Sequence, residues 1–76
     1  MDREEANTSL AEMIARMKSR RQALGLTQAA AAEKMGTVKS NISYWERGKT
    51  TPSASALILY ADALDWKIQL VDKFPS

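Results

Sequence analysis

The sequence predicts an all-α fold, a compact four-helix domain with a helix-turn-helix pair, followed by one C-terminal β-strand that pairs across a homodimer. Three observations lead to this prediction. Apolar residues recur with the helical period along most of the chain. Gly36 and Thr37 leave room only for a sharp turn between two short helical segments. After residue 65 the apolar period changes to two residues, which is typical of a strand.

The first helix is expected from about Leu10 to Leu24. Ser9 and Glu12 have the spacing of a capping box, in which hydroxyl and carboxylate satisfy backbone amides at the helix start. Five apolar residues then share one helical face: Leu10, Met13, Ile14, Met17 and Leu24. Gly25 follows, and glycine tolerates the left-handed backbone that ends helices. We therefore expect residues 1–8 to form a flexible N-terminus.

Two short helices follow, joined by the sharp turn. Thr27 can cap the second helix, QAAAAEKM, which Gly36 ends. Thr37 can cap the third helix, which is expected from Val38 to about Arg47. The helix-turn-helix unit is therefore expected to span residues 28–47.

A fourth helix completes the helical domain. The sequence KTTPS combines a proline with hydroxyl residues, which suits a loop leading to a helix start. The apolar residues that follow have helical spacing: Ala54, Leu57, Ile58, Ala61 and Leu64. No linker or internal repeat interrupts this part of the chain, so we expect one helical domain over residues 9–65.

The C-terminal segment has a two-residue period, because Trp66, Ile68 and Leu70 alternate with the residues between them. A lone strand leaves its backbone groups unpaired, and nothing else in the sequence offers a partner strand. We therefore expect a strand over residues 66–73 that pairs antiparallel with the same strand of a second copy, about a two-fold axis. The alternative is a loose tail with Trp66 against the core.

The composition excludes several classes of protein. Cys and His are both absent, which removes disulfides, thiolate metal sites and the commonest general base. We therefore expect no enzyme activity, no cofactor and no metal. The N-terminal sequence MDREEANTS is acidic and polar, unlike a secretory signal. No apolar run approaches the roughly 18 residues of a membrane helix, so a cytoplasmic protein without a membrane partner is the simplest interpretation.

Positive charge is concentrated in the middle of the chain. The net charge is +2, but from Arg16 to Lys49 eight bases stand against two acids, which gives +6 there and leaves −4 for the two ends. A basic middle between acidic ends indicates one anionic partner surface. The alternative is an ordinary basic face in contact with water.

The third helix has two distinct sides on a helical wheel. Val38, Ile42 and Trp45 fall on the inner side. The outer side has no carboxylate and carries five residues: Lys39, Ser40, Ser43, Tyr44 and Arg47. The major groove of DNA admits one helix and presents mostly hydrogen-bond acceptors. The outer side is therefore a candidate surface for DNA.

Each of these residues suits a particular contact. Lys39 can donate to guanine, and Tyr44 can pack on a thymine methyl or donate to a phosphate. Ser40 and Ser43 are short enough to allow close approach. Phosphate contacts are expected where the helix leaves the groove, at these residues: Arg47, Lys49 and Thr50.

Glu46 lies at the edge of the outer side, where a carboxylate would repel phosphate. Its position points toward Arg21 in the first helix. A charge-assisted pair between Arg21 and Glu46 would tie the third helix to the first. The alternative is a free glutamate on the surface.

The segment RRQALGLTQAAAAEKMGTVKSNISYWERGKTTPS resembles the Cro/CI-type (XRE) helix-turn-helix repressors. The resemblance rests on GLTQ at residues 25–28 and on the following positions: Ala32, Gly36, Ile42, Trp45, Glu46, Gly48 and Pro52. It implies a DNA-binding domain of the lambda-repressor-like type that binds a double-stranded operator. It also implies that Arg21 and Glu46 form the family's buried ion pair.

The same resemblance implies further DNA contacts. Thr27 and Gln28, which open the second helix, match phosphate contacts at a helix N-terminus, where free amides attract anions. Val38 matches a base-reading position at the tip of the third helix, beside Lys39. The helical wheel places Val38 inward instead, and both placements stay open for a residue of the first turn.

The C-terminal sequence LDWKIQLVDK resembles the HipB-like antitoxins, in which a C-terminal strand pairs across the dimer. This resemblance implies a repressor of its own operon that neutralises a HipA-like Ser/Thr kinase toxin. Only FPS follows the strand, so toxin contact is expected to use the folded body. The alternatives are a phage-type or stand-alone regulator, and a protein-interaction module that binds a toxin, with DNA binding incidental.

Overall fold

The computed structural model describes residues 1–74 and contains four α-helices. They are α1 (Arg3–Ala23), α2 (Gln28–Met35), α3 (Lys39–Glu46) and α4 (Ala54–Ala63). All regular secondary structure in the described residues is helical, which confirms the all-α fold. None of these helices is both long and apolar enough to cross a membrane. Pro75 and Ser76, the end of the FPS sequence, lie outside the described residues.

Helix α1 begins at Arg3, so the predicted start at Leu10 is wrong. Asp2 is the N-cap, and its carboxylate accepts a hydrogen bond of 2.8 Å from the amide of Glu5. Ser9, the predicted cap, lies inside the helix. The helix starts earlier because Asp2 is an effective cap and the acidic first turn favours the positive end of the helix dipole. Whether residues 1–8 are mobile stays a prediction.

Helix α2 has the predicted bounds and caps. The Thr27 hydroxyl accepts a hydrogen bond of 3.0 Å from the amide of Ala30. Gly36 ends the helix with φ of +76°, a left-handed conformation that glycine adopts without strain. The cap predicted at the start of α3 is wrong, because Val38 is the N-cap there. The Thr37 hydroxyl instead accepts a hydrogen bond of 2.8 Å from the side-chain amide nitrogen (Nδ2) of Asn41, a residue in the first turn of α3.

The core lies where α2 and α3 cross and where α4 packs against α2. Ala31 and Ala32 are buried at this crossing, and their small side chains allow the close approach. The Ser53 hydroxyl caps α4 by accepting a hydrogen bond of 3.1 Å from the amide of Ala56. Ile58, which the apolar pattern assigned to the buried stripe, is 56% exposed. In the same helix, Tyr60 is fully buried, although it was not assigned to the stripe.

The C-terminal segment, residues 66–74, forms neither helix nor strand in the single chain. Trp66 and Ile68 are half-buried and pack against the core, whereas Leu70 is 100% exposed. Backbone groups of residues 67–74 make no hydrogen bond to the rest of the described chain. The predicted strand is therefore absent here for a physical reason, since one chain alone provides no partner strand.

Candidate nucleic-acid interface

The two sides of α3 differ in burial as the helical wheel predicts, with one exception. Ile42 and Trp45 are buried and hold the helix against the core. Lys39, Ser40, Tyr44 and Arg47 are exposed, and Ser43 is half-buried: these residues form the outer face of α3.

The exception is Val38, which is 59% exposed at the N-cap of α3. The inward placement from the helical wheel is wrong, because Val38 precedes the first helical residue, Lys39, and does not follow the helical rotation. Its exposure agrees with the alternative placement at the tip of the helix. The first turn of α3 also lacks a side-chain cap, so the backbone amides of Lys39 and Ser40 keep free donor capacity, whereas that of Asn41 donates to the carbonyl of Val38 at 3.1 Å.

Tyr44 and Arg47 form a pair on the outer face. The Arg47 guanidinium lies 5.3 Å from the centre of the Tyr44 ring, a cation–π distance. Arg47 Nε also donates to the carbonyl of Ser43 at 3.4 Å. These contacts hold the guanidinium beside the aromatic ring while both groups remain accessible from outside.

The loop after α3 folds back on the same helix. The backbone amides of Lys49 and Thr50 donate to the carbonyl of Tyr44 at 2.8 and 3.5 Å. Both side chains are exposed, as is that of Thr27 at the start of α2. The predicted phosphate contacts Thr27, Lys49 and Thr50 are therefore accessible, and they lie next to the ends of α2 and α3.

Glu46 turns away from the outer face and forms the predicted ion pair with Arg21. Arg21 donates two hydrogen bonds to the carboxylate, from Nε to Oε2 at 2.9 Å and from Nη2 to Oε1 at 3.0 Å. The two side chains are 9% and 1% exposed. Arg21 Nη1 also donates to the carbonyl of Leu26 at 2.7 Å. The arrangement ties α3 to both α1 and the loop before α2.

Two further residues complete this buried polar cluster, and neither was predicted there. The Tyr60 hydroxyl donates to Glu46 Oε2 at 2.6 Å, and Gln28 Nε2 donates to Glu46 Oε1 at 3.0 Å. Gln28 was predicted as a phosphate contact, but its side-chain amide nitrogen is engaged by Glu46 in this structure. Tyr60 lies three residues after Leu57 of the apolar stripe, and this spacing could have placed its ring in the core. Its hydroxyl contact depends on how α3 and α4 pack.

The cluster fixes the protonation of its members. Burial by itself would raise the pKa of Glu46, but hydrogen bonds from Arg21, Tyr60 and Gln28 outweigh that effect and lower it. The hydrogen bond to Glu46 raises the pKa of Arg21. Burial, and next the hydrogen bond to Glu46, raise the pKa of Tyr60. At neutral pH the cluster therefore holds one carboxylate, one guanidinium and one neutral phenol.

Comparison with known proteins identifies a family and a structural relative. A family model described as "Helix-turn-helix" matches residues 17–70. This range runs from the second half of α1 through α4 and into the C-terminal segment, and it contains all of the outer face of α3. A comparison with curated proteins found no match.

The chain is also similar to the P22 c2 repressor protein, whose crystal structure was determined in complex with synthetic operator 9T in the presence of Tl+. The two proteins share 34% sequence identity, with a TM-score of 0.66. The match covers 72% of this chain and 83% of that chain.

Proposed function

The chain belongs to the Cro/CI-type (XRE) helix-turn-helix family, and from that premise we propose that it is a homodimeric repressor that binds an inverted-repeat DNA operator. Both the family and the fold are those of DNA-binding regulators. One observation carries the proposal. The outer face of α3 presents hydrogen-bond donors and an aromatic ring to solvent, while the only carboxylate of α3 is buried by an ion pair.

The outer face suits the major groove in both size and chemistry. A single helix fits the groove, and guanine offers two acceptors, O6 and N7, within reach of a lysine. We assign base contacts to the five residues at the tip and along the outer face: Val38, Lys39, Ser40, Ser43 and Tyr44. Val38 supports this assignment because its exposed methyl groups could contact a thymine methyl.

Phosphate contacts would flank the base contacts. We assign them to the start of α2 and to the end of α3: Thr27, Gln28, Arg47, Lys49 and Thr50. Because the Gln28 amide nitrogen donates to Glu46, the contact from Gln28 would use its backbone amide at the N-terminus of α2. Arg47, held against the Tyr44 ring, and Lys49 would supply the positive charges among these contacts.

The C-terminal segment supports the homodimer. It has unpaired backbone groups and an exposed Leu70, next to two residues that already pack on the core, Trp66 and Ile68. An antiparallel strand from a second copy would satisfy the backbone groups and cover the leucine. A two-fold dimer presents two copies of α3 to DNA, so the operator would be an inverted repeat with half-sites roughly 34 Å apart.

A finer assignment is the antitoxin of a HipBA-like type II toxin–antitoxin system that represses its own operon. It is supported by the segment after α4, which continues with alternating apolar residues and no fifth helix within the described chain. The partner would be a HipA-like Ser/Thr kinase toxin. A kinase-like reading frame beside this gene, whose product co-purifies with the protein, would support the assignment. Absence of such a frame would leave a stand-alone regulator.

The proposal is tested by operator selection. The purified protein is incubated with a pool of random duplex DNA, and the bound sequences are recovered over several rounds. We expect an inverted repeat whose half-sites are about one helical turn apart. Affinity for the recovered sequence should fall by roughly a thousandfold between 50 and 200 mM salt if about six phosphates are neutralised. Recovery of no common sequence, or an affinity unaffected by salt, would contradict the proposal.

A further inference from the structure

A groove lies on the surface beside the start of the C-terminal segment, where Trp66 and Ile68 pack against the core. Its volume is about 380 Å³, and it lies between α1 and residues 66–69. Most of its walls are apolar, with Met13, Met17 and Ala61 among them, and Arg16, Lys67 and Gln69 are its polar residues. The residues that come next in the chain do not place their side chains in the groove. Leu70 is 100% exposed and Val71 is 83% exposed. The chain thus has a largely apolar groove, and the next residues along the chain have apolar side chains that lie in solvent instead of in the groove.

A second feature lies at the end of the same groove. The Trp66 ring is flanked by two guanidinium groups, those of Arg16 at 5.8 Å and Arg20 at 5.4 Å from the ring centre. Arg20 Nε also donates to the carbonyl of Leu64 at 3.0 Å. Neither guanidinium forms an ion pair with a carboxylate of residues 1–74. Two cations are therefore fixed beside Trp66 without a counter-ion.

Symmetry restricts how two copies of this segment can pair. In a two-stranded antiparallel ribbon with a two-fold axis normal to it, each side chain stays on the same face after rotation. Directly opposite residues also share a face. Residues on the face of Ile68 must therefore lie opposite residues of that same face in the partner. This requires the two-fold axis to pass beside one residue that lies opposite its own copy, and we call the register centred on that residue. Only a few registers remain.

We propose that the segment pairs with that of a second copy in the register centred on Gln69, so that the groove of each copy receives Leu70 of the other. This inference rests on the homodimer proposed above and specifies its interface. The partner's Leu70 lies opposite Ile68 and on the face of Ile68 that packs toward the core. It therefore enters the apolar groove and leaves water.

The same register matches the charges. The partner's Asp72 lies opposite Trp66, where Arg16 and Arg20 lack a counter-ion. The partner's Lys73 lies alongside Asp65, the residue just before the segment. Both contacts occur twice in the dimer because of the two-fold axis. Each copy thus completes an apolar site and a charged site on the other.

The neighbouring registers lose these matches. Centring on Leu70 would place Lys67 opposite the partner's Lys73, and Ile68 opposite the partner's Asp72. The first is a repulsive pair, and the second sets a carboxylate over the apolar groove. Centring on Ile68 would place the partner's Asp72 opposite Leu64, a buried residue at the end of α4. That register removes the carboxylate from the two guanidinium groups.

Disulfide cross-linking tests the register, since the chain has no cysteine of its own. Three full-length variants are compared: Gln69→Cys, Leu70→Cys and Ile68→Cys. Directly opposite residues have Cβ atoms about 5 Å apart, while diagonal neighbours are roughly 7–8 Å apart, too far for a disulfide. Under mild oxidation we expect Gln69→Cys to form covalent dimers at least about tenfold faster than the other two. Faster or equal cross-linking at Leu70 or Ile68 would overturn the register.

Charge reversal gives an independent test in the protein without cysteine. Asp72→Lys should weaken dimerisation about tenfold, because a lysine would face two arginines. Asp62→Lys is the matched control, with the same charge change at an exposed position of α4 outside the segment, and should leave dimerisation unchanged. Both are measured by sedimentation. Equal effects of the two substitutions would contradict the charged contact.

Operator binding of the same variants separates this inference from the proposed function. If the protein binds its operator as a dimer but cross-links fastest at another position, the register is wrong and the proposed function stands. A protein that is monomeric at all concentrations and selects no operator contradicts the repressor as well.

Discussion

The two sides of α3 differ in whether their polar groups are hydrogen-bonded within the protein. On the inner side, the Glu46 side chain is 1% exposed and accepts hydrogen bonds from Arg21, Gln28 and Tyr60. On the outer side, the Lys39 side chain is exposed and makes no hydrogen bond to another residue of the described chain, and Tyr44 is 43% exposed. The inner side has satisfied its hydrogen-bonding capacity within the protein, and the outer side keeps its capacity for a partner.

The difference shows how a short helix can be both fixed and available. Helix α3 has eight residues and no side-chain cap, so it would not be stable alone in water. Its buried side supplies the missing stability by contacts with the other helices. The outer side can then present donors that make few contacts inside the protein. The following predictions test this division, from the largest expected effect to the smallest.

Replacing Glu46 by Gln should destabilise the fold by about 3 kcal/mol or more. The substitution leaves the Arg21 guanidinium buried without its counter-ion, and an unpaired buried charge is costly. The measurement is the free energy of unfolding in urea. Glu33→Gln is the control, since Glu33 is exposed on α2 and should change stability little. Equal stability of the two variants would contradict a buried ion pair.

Replacing Tyr60 by Phe should destabilise the fold by about 2 kcal/mol. The ring remains in the core, but the buried carboxylate of Glu46 loses one hydrogen bond. A hydrogen bond to a charged group typically contributes roughly 1.5–3 kcal/mol. Tyr44→Phe removes the same hydroxyl from the exposed outer face and should leave the free energy of unfolding nearly unchanged. A Tyr60→Phe variant as stable as the unaltered protein would mean that the hydrogen bond from Tyr60 to Glu46 does not stabilise the fold.

The pH dependence of stability should be the smallest of these effects, at most about 1.4 kcal/mol per pH unit for one group. The pKa of Glu46 is lowered in the folded protein, so its contribution is present above the ordinary glutamate pKa of about 4.3. It is lost as the pH falls from that value through the lowered pKa. The difference in stability between the unaltered protein and Glu46→Gln should therefore shrink below about pH 4.3. A difference that does not change over this range would contradict the lowered pKa.

Apart from the ion pair between α1 and α3, the features that the sequence predicted correctly depend on local signals. The bounds of α2 follow from Thr27 and Gly36, whose capping roles depend on residues within one turn. The pairing of Arg21 with Glu46 followed from the edge position of a carboxylate on an otherwise acid-free face and from the family resemblance. Burial of Ile42 and Trp45 followed from the helical period.

The errors arose where distant or competing contacts decide the structure. Asp2 and Ser9 both have the chemistry of an N-cap, and the apolar stripe from Leu10 favoured the wrong one because the first turns of α1 are entirely exposed. The Tyr60 hydroxyl reaches Glu46 only once α4 is packed. The C-terminal segment is not a strand in the single chain, because a strand needs a hydrogen-bonding partner, and its pairing with a second copy stays a prediction.

Operator affinity of Lys39→Ala and Tyr44→Ala is the most direct test of the central claim, that the outer face of α3 reads DNA. Both variants are titrated by gel shift against the operator recovered by selection, beside Lys18→Ala, which removes the same charge from an exposed position of α1. We expect each outer-face substitution to weaken binding by about 1–3 kcal/mol, roughly 5- to 150-fold, with the unfolding free energy unchanged. Lys18→Ala should weaken binding much less. Unchanged operator binding by both outer-face variants would contradict the claim.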